Sequence, residues 1–362
     1  MMGPLTSLKV LEFSGIGPAP LAGQLLADLG ADVITVDRAT APVDPAEVLR
    51  RGKRSVVLDL KTPHGLEAAR RLASRSDVLI EGFRPGVMER LGMGPAACHD
   101  TLIYARMTGW GQTGPLAQVA GHDITYLALT GALHAMGEAG RPPVPPMNLV
   151  ADYGGGTMFL IMGILAAVIE RGITGKGQVV DAAMVDGVPA MMGLIHTMLA
   201  RGTWSEDRAS NWLDGAAPFY RCYTCADAKF VAVGALEPQF YALLIEGLGL
   251  PSSLCARQND RTTWPARTAE FARIFASESR DHWAKLFDGT DACVAPVLTF
   301  QEAAAHPHVV ARGTLVSPGG IPQAGRAPRF STSPQPEPAP PRAIGADTDD
   351  ILRALGMEVS GT

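Results

Sequence analysis

The feature that most constrains this chain is a regular alternation of short apolar runs and amphipathic ones between residues 8 and 107. Residues 8–14 (LKVLEFS) and 31–37 (ADVITVD) read as strands, with residues 20–29 between them as an amphipathic helix, which makes one βαβ unit. Residues 54–60, 64–75, 77–82, 85–91 and 101–107 continue the alternation. Strands that return through helices run parallel, so the expected fold class is α/β, with a doubly wound parallel sheet. After the first strand stands Gly15-Ile16-Gly17-Pro18-Ala19-Pro20, where a dinucleotide fold would carry GxGxxG. Pro18 and Pro20 remove N–H donors and the third glycine is missing, so the sheet is Rossmann-like but lacks the pyrophosphate cradle of a nicotinamide enzyme. Asp37 ends the second strand, where it would suit a ribose, whereas the adjacent Arg38 would suit a phosphate.

A chain of 362 residues is long enough for two domains. The patterning places a large α/β domain at 1–183 and 326–362, a smaller α+β domain at 220–310, and linkers at 184–219 and 311–325. In the small domain a hairpin turns through Cys225-Ala226-Asp227-Ala228, and helices follow near 238–248, 264–277 and 280–287. Residues 318–341 are rich in Pro, Gly and Ser and read as extended chain, and residues 347–355 form a short helix stopped by Gly356. A net charge of −5 without a block of Lys and Arg argues against a nucleic-acid partner. The run 157–169 is too short to span a bilayer, and 182–200 is broken by Asp186, Pro189 and His196, so both read as buried helices and no membrane is expected. Five cysteines at irregular spacing imply a reducing compartment, and the start lacks signal-peptide character, so a cytoplasmic location is expected. Cys222 and Cys225 have neither the βαβ context of a redox pair nor a second ligand pair for zinc, and no metal is expected.

The chemistry concentrates in residues 103–156, where titratable side chains sit among glycines and turns instead of on a charged face. His122 follows a turn-rich run and precedes an apolar stretch, which puts it at a helix start or loop rim. Asp152 ends MNLVA and precedes Tyr153-Gly154-Gly155-Gly156 and a long apolar run, which reads as a helix N-cap with free N–H groups nearby. Taken singly, each also fits an ordinary core histidine and an ordinary capping aspartate.

The run Ile103 to Pro115 (IYARMTGWGQTGP), then Gly121-His122-Asp123, then Asp152 with its glycines, resembles the family III CoA-transferase superfamily of CaiB/BaiF type, and within it the racemases of 2-methylacyl-CoA thioesters. The resemblance runs over nearly the whole chain. It implies an acyl-CoA substrate held along the sheet edge, with Arg38, Asp59, Lys61, Gly82 and Arg84 in the matching motifs. Coenzyme A would be part of the substrate, and no separate cofactor is implied. Arginine and lysine at strand ends suit its phosphates, although Arg54, Lys61 or Arg84 alone would pass for surface charge. It further implies an interlocked homodimer with sites shared between chains.

The implied reaction inverts the carbon next to a thioester carbonyl by removing its proton on one face and returning one on the other. Two groups are then needed. His122 suits one face, since an imidazole ordinarily titrates at about 6.5, and Asp152 suits the other if burial raises its carboxyl. N–H groups at Asp152 and the glycine-flanked helix start are the expected donors to the enolate oxygen. Glu237 takes the position that partners the catalytic imidazole in the resembling enzymes, and Asp123 is a lesser contributor to orienting the site. The rival reading is a CoA-transferase with Asp152 as nucleophile, forming a mixed anhydride; a third is a non-catalytic acyl-CoA-binding protein. Methionines 147, 158, 162, 184, 191, 192 and 198 suit either an adaptable acyl groove or ordinary core filling.

Overall fold

The computed structural model describes residues 3–39 and 44–358, in two compact units. The first takes the chain up to Thr130, Met147–Met192 and the residues from His306 on; the second takes Gly131–Pro146 and Gly193–Ala305. These boundaries correct those read from composition. Residues 131–146, expected in the large domain, belong to the second unit, and the supposed linker 184–219 is divided after Met192, while 311–325 lies inside the first unit. The reason is a side chain far along the sequence: Arg208 donates to the carbonyls of His134 (2.7 Å), Glu138 and Arg141 and pins that loop.

In the first unit the order is β1 (Lys9–Phe13), α1 (Pro18–Asp28), β2 (Asp32–Asp37), β3 (Arg54–Val57), α2 (Pro63–Ala73), β4 (Val78–Glu81), α3 (Val87–Arg90), β5 (Ile103–Thr108) and α4 (Asp123–Leu129). A π-helix (Leu149–Thr157), α5 (Met158–Thr174), β6 (Val179–Ala183) and α6 (Met184–Met191) follow. The six strands form one parallel sheet in the order β3-β2-β1-β4-β5-β6, so the order reverses between β1 and β4. Leu11 and Phe13 of β1 and Leu79 of β4 belong to a core with Ala68, Ala69 and Leu72 of α2, with Ile351 and Leu352 of the C-terminal helix Thr348–Ala354, and with its C-cap Leu355. Strands covered on both faces need near-continuous apolar runs, which is why they were legible.

Glu12 is the exception in β1, at 1% exposure. Its carboxylate takes two bonds from Lys53 Nζ (2.8 and 2.6 Å), whose third goes to the Pro20 carbonyl (2.8 Å). Burial pushes the Glu12 carboxyl up and the Lys53 ammonium down, and their mutual attraction opposes both shifts.

Two expectations about the apolar helices fail. The helical stretch Leu149–Thr174 is continuous over 26 residues, and by length and composition it is long enough to cross a membrane. The run read as 157–169 was short only because the glycines before it were taken for a helix start. Nor is the stretch buried within the chain, since Met158, Met162, Ile169 and Ile173 are exposed. Its close packing lies at the other end: a Cβ on Gly187 of α6 would sit 1.9 Å from the Gly155 carbonyl oxygen, so only glycine admits this crossing.

The second unit holds α7 (Gly193–Ala200), β7 (Tyr220–Thr224), β8 (Phe230–Gly234), α8 (Pro238–Gly247), α9 (Trp264–Phe275), α10 (Arg280–Leu286) and β9 (Val294–Pro296). Its three strands are antiparallel in the order β7-β8-β9 and pack on helices through an aromatic core that includes Phe219, Tyr223, Trp264, Phe275 and Trp283. The unit thus combines an antiparallel sheet with helices. Cys222 lies on β7 and Cys225 in the turn after it, both as free thiols.

Candidate active site

The strand ends of the first unit open into a cleft of about 660 Å³ at the reversal between β1 and β4. Ser14 to Gly17, Asp37, Arg38, Arg50, Lys53, Gly82 and Phe83 line it. Of the residues expected to hold coenzyme A, the cleft therefore gathers Arg38 and Gly82, with the Arg38 guanidinium 5.9 Å above the Phe83 ring. Glu81 shapes this corner by accepting the Phe83 N–H (2.7 Å) and an Arg106 bond (2.9 Å). Asp59 and Lys61 do not line it; they form a turn in which Asp59 Oδ1 accepts the Lys61 N–H (3.0 Å). Arg84 does not line it either; its charge acts on Tyr126. The ribose role considered for Asp37 fails, because its carboxylate is taken by Arg50 (3.0 and 2.6 Å) and Ser55 (2.6 Å). Arg54 is likewise paired, with Asp32.

His122 and Asp152 come together in this unit. His122 is the exposed N-cap of α4, its backbone N–H donating to Thr125 Oγ1 (2.9 Å). Asp152 is not an N-cap. It lies in the first turn of the π-helix, whose N-cap is Asn148, and helices of this kind recur at functional sites. The three glycines after it are not a helix start; Gly155 serves the crossing with α6 described above. The expected enolate donor also fails, since the Asp152 N–H already donates to Asp123 Oδ2 (2.8 Å), as does that of Ala151 (3.0 Å). Asp123 is thus a buried carboxylate that holds the start of the π-helix.

Burial raises the half-buried Asp152 carboxyl, and the Asp123 charge raises it further, while a hydrogen bond from Asn148 and the His122 charge act the other way. A group held in this way is suited to keeping or giving up a proton. Tyr126 stands beside it, one turn along α4 from His122, with its ring 4.7 Å edge-on from Trp110. A Cβ on Gly109 or Gly121 would strike that ring, at 2.0 and 2.4 Å. Tyr126 and Asn148 were missed in the sequence, although both lie four residues from a candidate, on the same helix face. Arg50 and Lys53 of the cleft were missed because the run RRGKR reads as surface charge.

Glu237 belongs to the second unit, where it is the exposed N-cap of α8 ahead of Pro238. The turn before it is held by the buried Gln258 amide, which donates to the carbonyls of Ala235 (3.2 Å) and Leu236 (2.9 Å). Among the methionines, 147, 158, 162 and 191 are exposed and Met184 is buried, so core filling describes only part of the set. Among the described residues no group of three or more His, Cys, Asp or Glu is gathered as for a metal.

The family model described as CoA-transferase family III matches residues 5–348. Alpha-methylacyl-CoA racemase of Homo sapiens is 45% identical over 367 residues, covering 98% of this chain and 94% of that protein. The racemase of the same name from Mus musculus is 44% identical over 358 residues, covering 98% and 93%. The crystal structure of a CAIB/BAIF family protein from Brucella suis, 28% identical, matches with a TM-score of 0.83 over 98% of this chain and 100% of that one. The chain belongs to CoA-transferase family III.

Proposed function

We propose that the chain racemises α-methylacyl-CoA thioesters, with His122 and Asp152 as the two bases. One takes the C2 proton, leaving its electron pair in an enolate, and the other returns a proton to the opposite face. The observation that carries this reading is the pairing of an exposed imidazole with a half-buried carboxyl whose proton affinity burial has raised. Similarity to racemases at 44–45% identity supports it.

In this reading the coenzyme A portion of the substrate lies in the cleft beside Arg38 and Gly82, with Arg84 nearer the reacting end, and no cofactor of the protein's own is assigned. The protein works as a homodimer in which Glu237 of one copy accepts a bond from the His122 imidazole of the other. The uncovered apolar residues of α5 support this, since a second copy would bury them.

The deciding experiment is incubation with one epimer of a 2-methylacyl-CoA in deuterated water. Inversion with deuterium at C2 is expected. Absence of exchange, with hydroxylamine converting an activated Asp152 carbonyl to its hydroxamate and expelling the carboxylate or CoA thiolate bound to it, would establish the transferase chemistry instead.

A further inference from the structure

Asp123 is 7% exposed, and one of its oxygens, Oδ2, accepts the N–H groups of both Ala151 and Asp152. The other, Oδ1, is buried without a partner among the described residues. The carboxylate therefore spends its hydrogen bonding on two consecutive amides of the π-helix, one of them belonging to the candidate base. Those amides open the helix and have no carbonyl of their own to reach, so without Asp123 they would be left unsatisfied where water is scarce. The same contact joins α4, which begins right after His122, to the backbone that carries Asp152. The remaining contacts of the Asp152 side chain do not duplicate it: Asn148 reaches the carboxylate, and Gly17 faces it without a side chain.

We propose that Asp123 is a positioning residue, which sets the distance and orientation of the Asp152 carboxylate relative to His122 by holding the amides of Ala151 and Asp152. This deepens the racemase reading and rests on it for its kinetic test. Because a single oxygen accepts both amides, asparagine can keep the arrangement, whereas leucine cannot. The amide NH2 of asparagine would then lie where Oδ1 now has no partner.

The test compares Asp123→Asn and Asp123→Leu with wild type by two measurements. The first is face-resolved deuterium exchange at C2 of a 2-methylacyl-CoA, at each variant's pH optimum. Exchange on the Asp152 face should fall by about 100-fold in the leucine variant, as expected for a base misplaced by about an ångström. Exchange on the His122 face should fall much less, and the asparagine variant should stay within about tenfold of wild type on both faces. The second measurement is amide hydrogen exchange at Ala151 and Asp152, which needs no substrate. Both amides should be protected in wild type and the asparagine variant and exposed in the leucine variant, while amides of β1 and β4 stay protected in all three.

An equal loss on both faces in the leucine variant, an asparagine variant as impaired as the leucine one, or unprotected amides in wild type would each overturn the proposal. A wild type without C2 exchange would remove the racemase reading alone, and the amide data would still decide whether Asp123 holds the π-helix.

Discussion

Gly17 faces Asp152: a Cβ at Gly17 would lie 3.4 Å from the Asp152 carboxylate oxygen Oδ2. The turn that follows β1 therefore forms part of the wall around the candidate base, and Gly17 also lines the cleft proposed for coenzyme A. Gly17 has φ 77° and ψ −120°, a conformation that side chains strongly disfavour. At 3.4 Å the methyl of Gly17→Ala makes an ordinary contact, so backbone strain is the main cost, about 1–3 kcal/mol. Thermal unfolding should move down accordingly, and relief of that strain should shift the turn and lower turnover. An unchanged Tm and turnover would show that the turn has no such constraint.

Asp152 gives a signed pH dependence. Its carboxyl is raised above the ordinary value of 3.8, first by burial and then by Asp123. The folded chain thus holds this proton more tightly than the unfolded chain does. Its contribution to stability is fully present below the unfolded value and is lost as pH rises through the folded one. Asp152→Asn, which never ionises there, should melt higher than wild type at neutral pH. The gain should shrink to nothing as pH falls toward about 3.8. Melting curves across that range check it, and a gain that grows on acidification would contradict the sign.

Lys53 and Glu12 are 4% and 1% exposed, and each is the other's charge partner. Lys53→Met leaves a carboxylate buried without its cation and should cost about 3–5 kcal/mol in chemical denaturation. The double variant Glu12→Leu, Lys53→Met should recover most of that loss, because it removes both charges from the interior. If the double variant is as unstable as the single one, the lysine acts through packing instead.

The cleft sorts the cations proposed for coenzyme A. Arg38 lines it and Lys61 does not. A charge-assisted bond to phosphate lost with Arg38→Ala should weaken coenzyme A binding by roughly tenfold or more, measured by calorimetry at fixed salt. Lys61→Ala removes an exposed charge outside the cleft and should change binding by about threefold or less. The reverse order would place the phosphates at the end of β3.

The inner strands β1, β4 and β5 were legible because they are largely buried, so each one announces itself as a short apolar run, whereas the edge strand β6 is exposed at Val179 and Asp181. The site was legible in its residues but not in its geometry. Gly154-Gly155-Gly156 after Asp152 looks like a helix opening, yet Gly155 is needed where the helix crosses α6 at Gly187. Local sequence shows that glycine is required without showing why. Similarly, the run at 50–54 (RRGKR) looks solvated because its partners Asp37, Asp28, Glu12 and Asp32 lie on neighbouring elements, which only the fold brings near. Asp123 looked secondary for the same reason, since the amides it holds lie 28 and 29 residues away.

The proposed sharing of each site between two copies yields a count. Suppose His122 of one copy works with Glu237 of the other. His122→Ala and Glu237→Ala homodimers then carry one lesion in every site, and each should be inactive or nearly so. Mixing the two chains by refolding or co-expression in equal amounts makes half of the dimers mixed. In a mixed dimer one site combines both lesions, while the other joins an intact His122 to an intact Glu237. Half of the sites in half of the dimers are whole, so activity should return to about a quarter of wild type. A site built within one chain behaves differently, because every site in the mixture then keeps a single lesion whichever chains are paired. Mixed dimers demonstrated by differential tagging, with activity no higher than that of the separate variants, would place Glu237 and His122 of one site in the same chain.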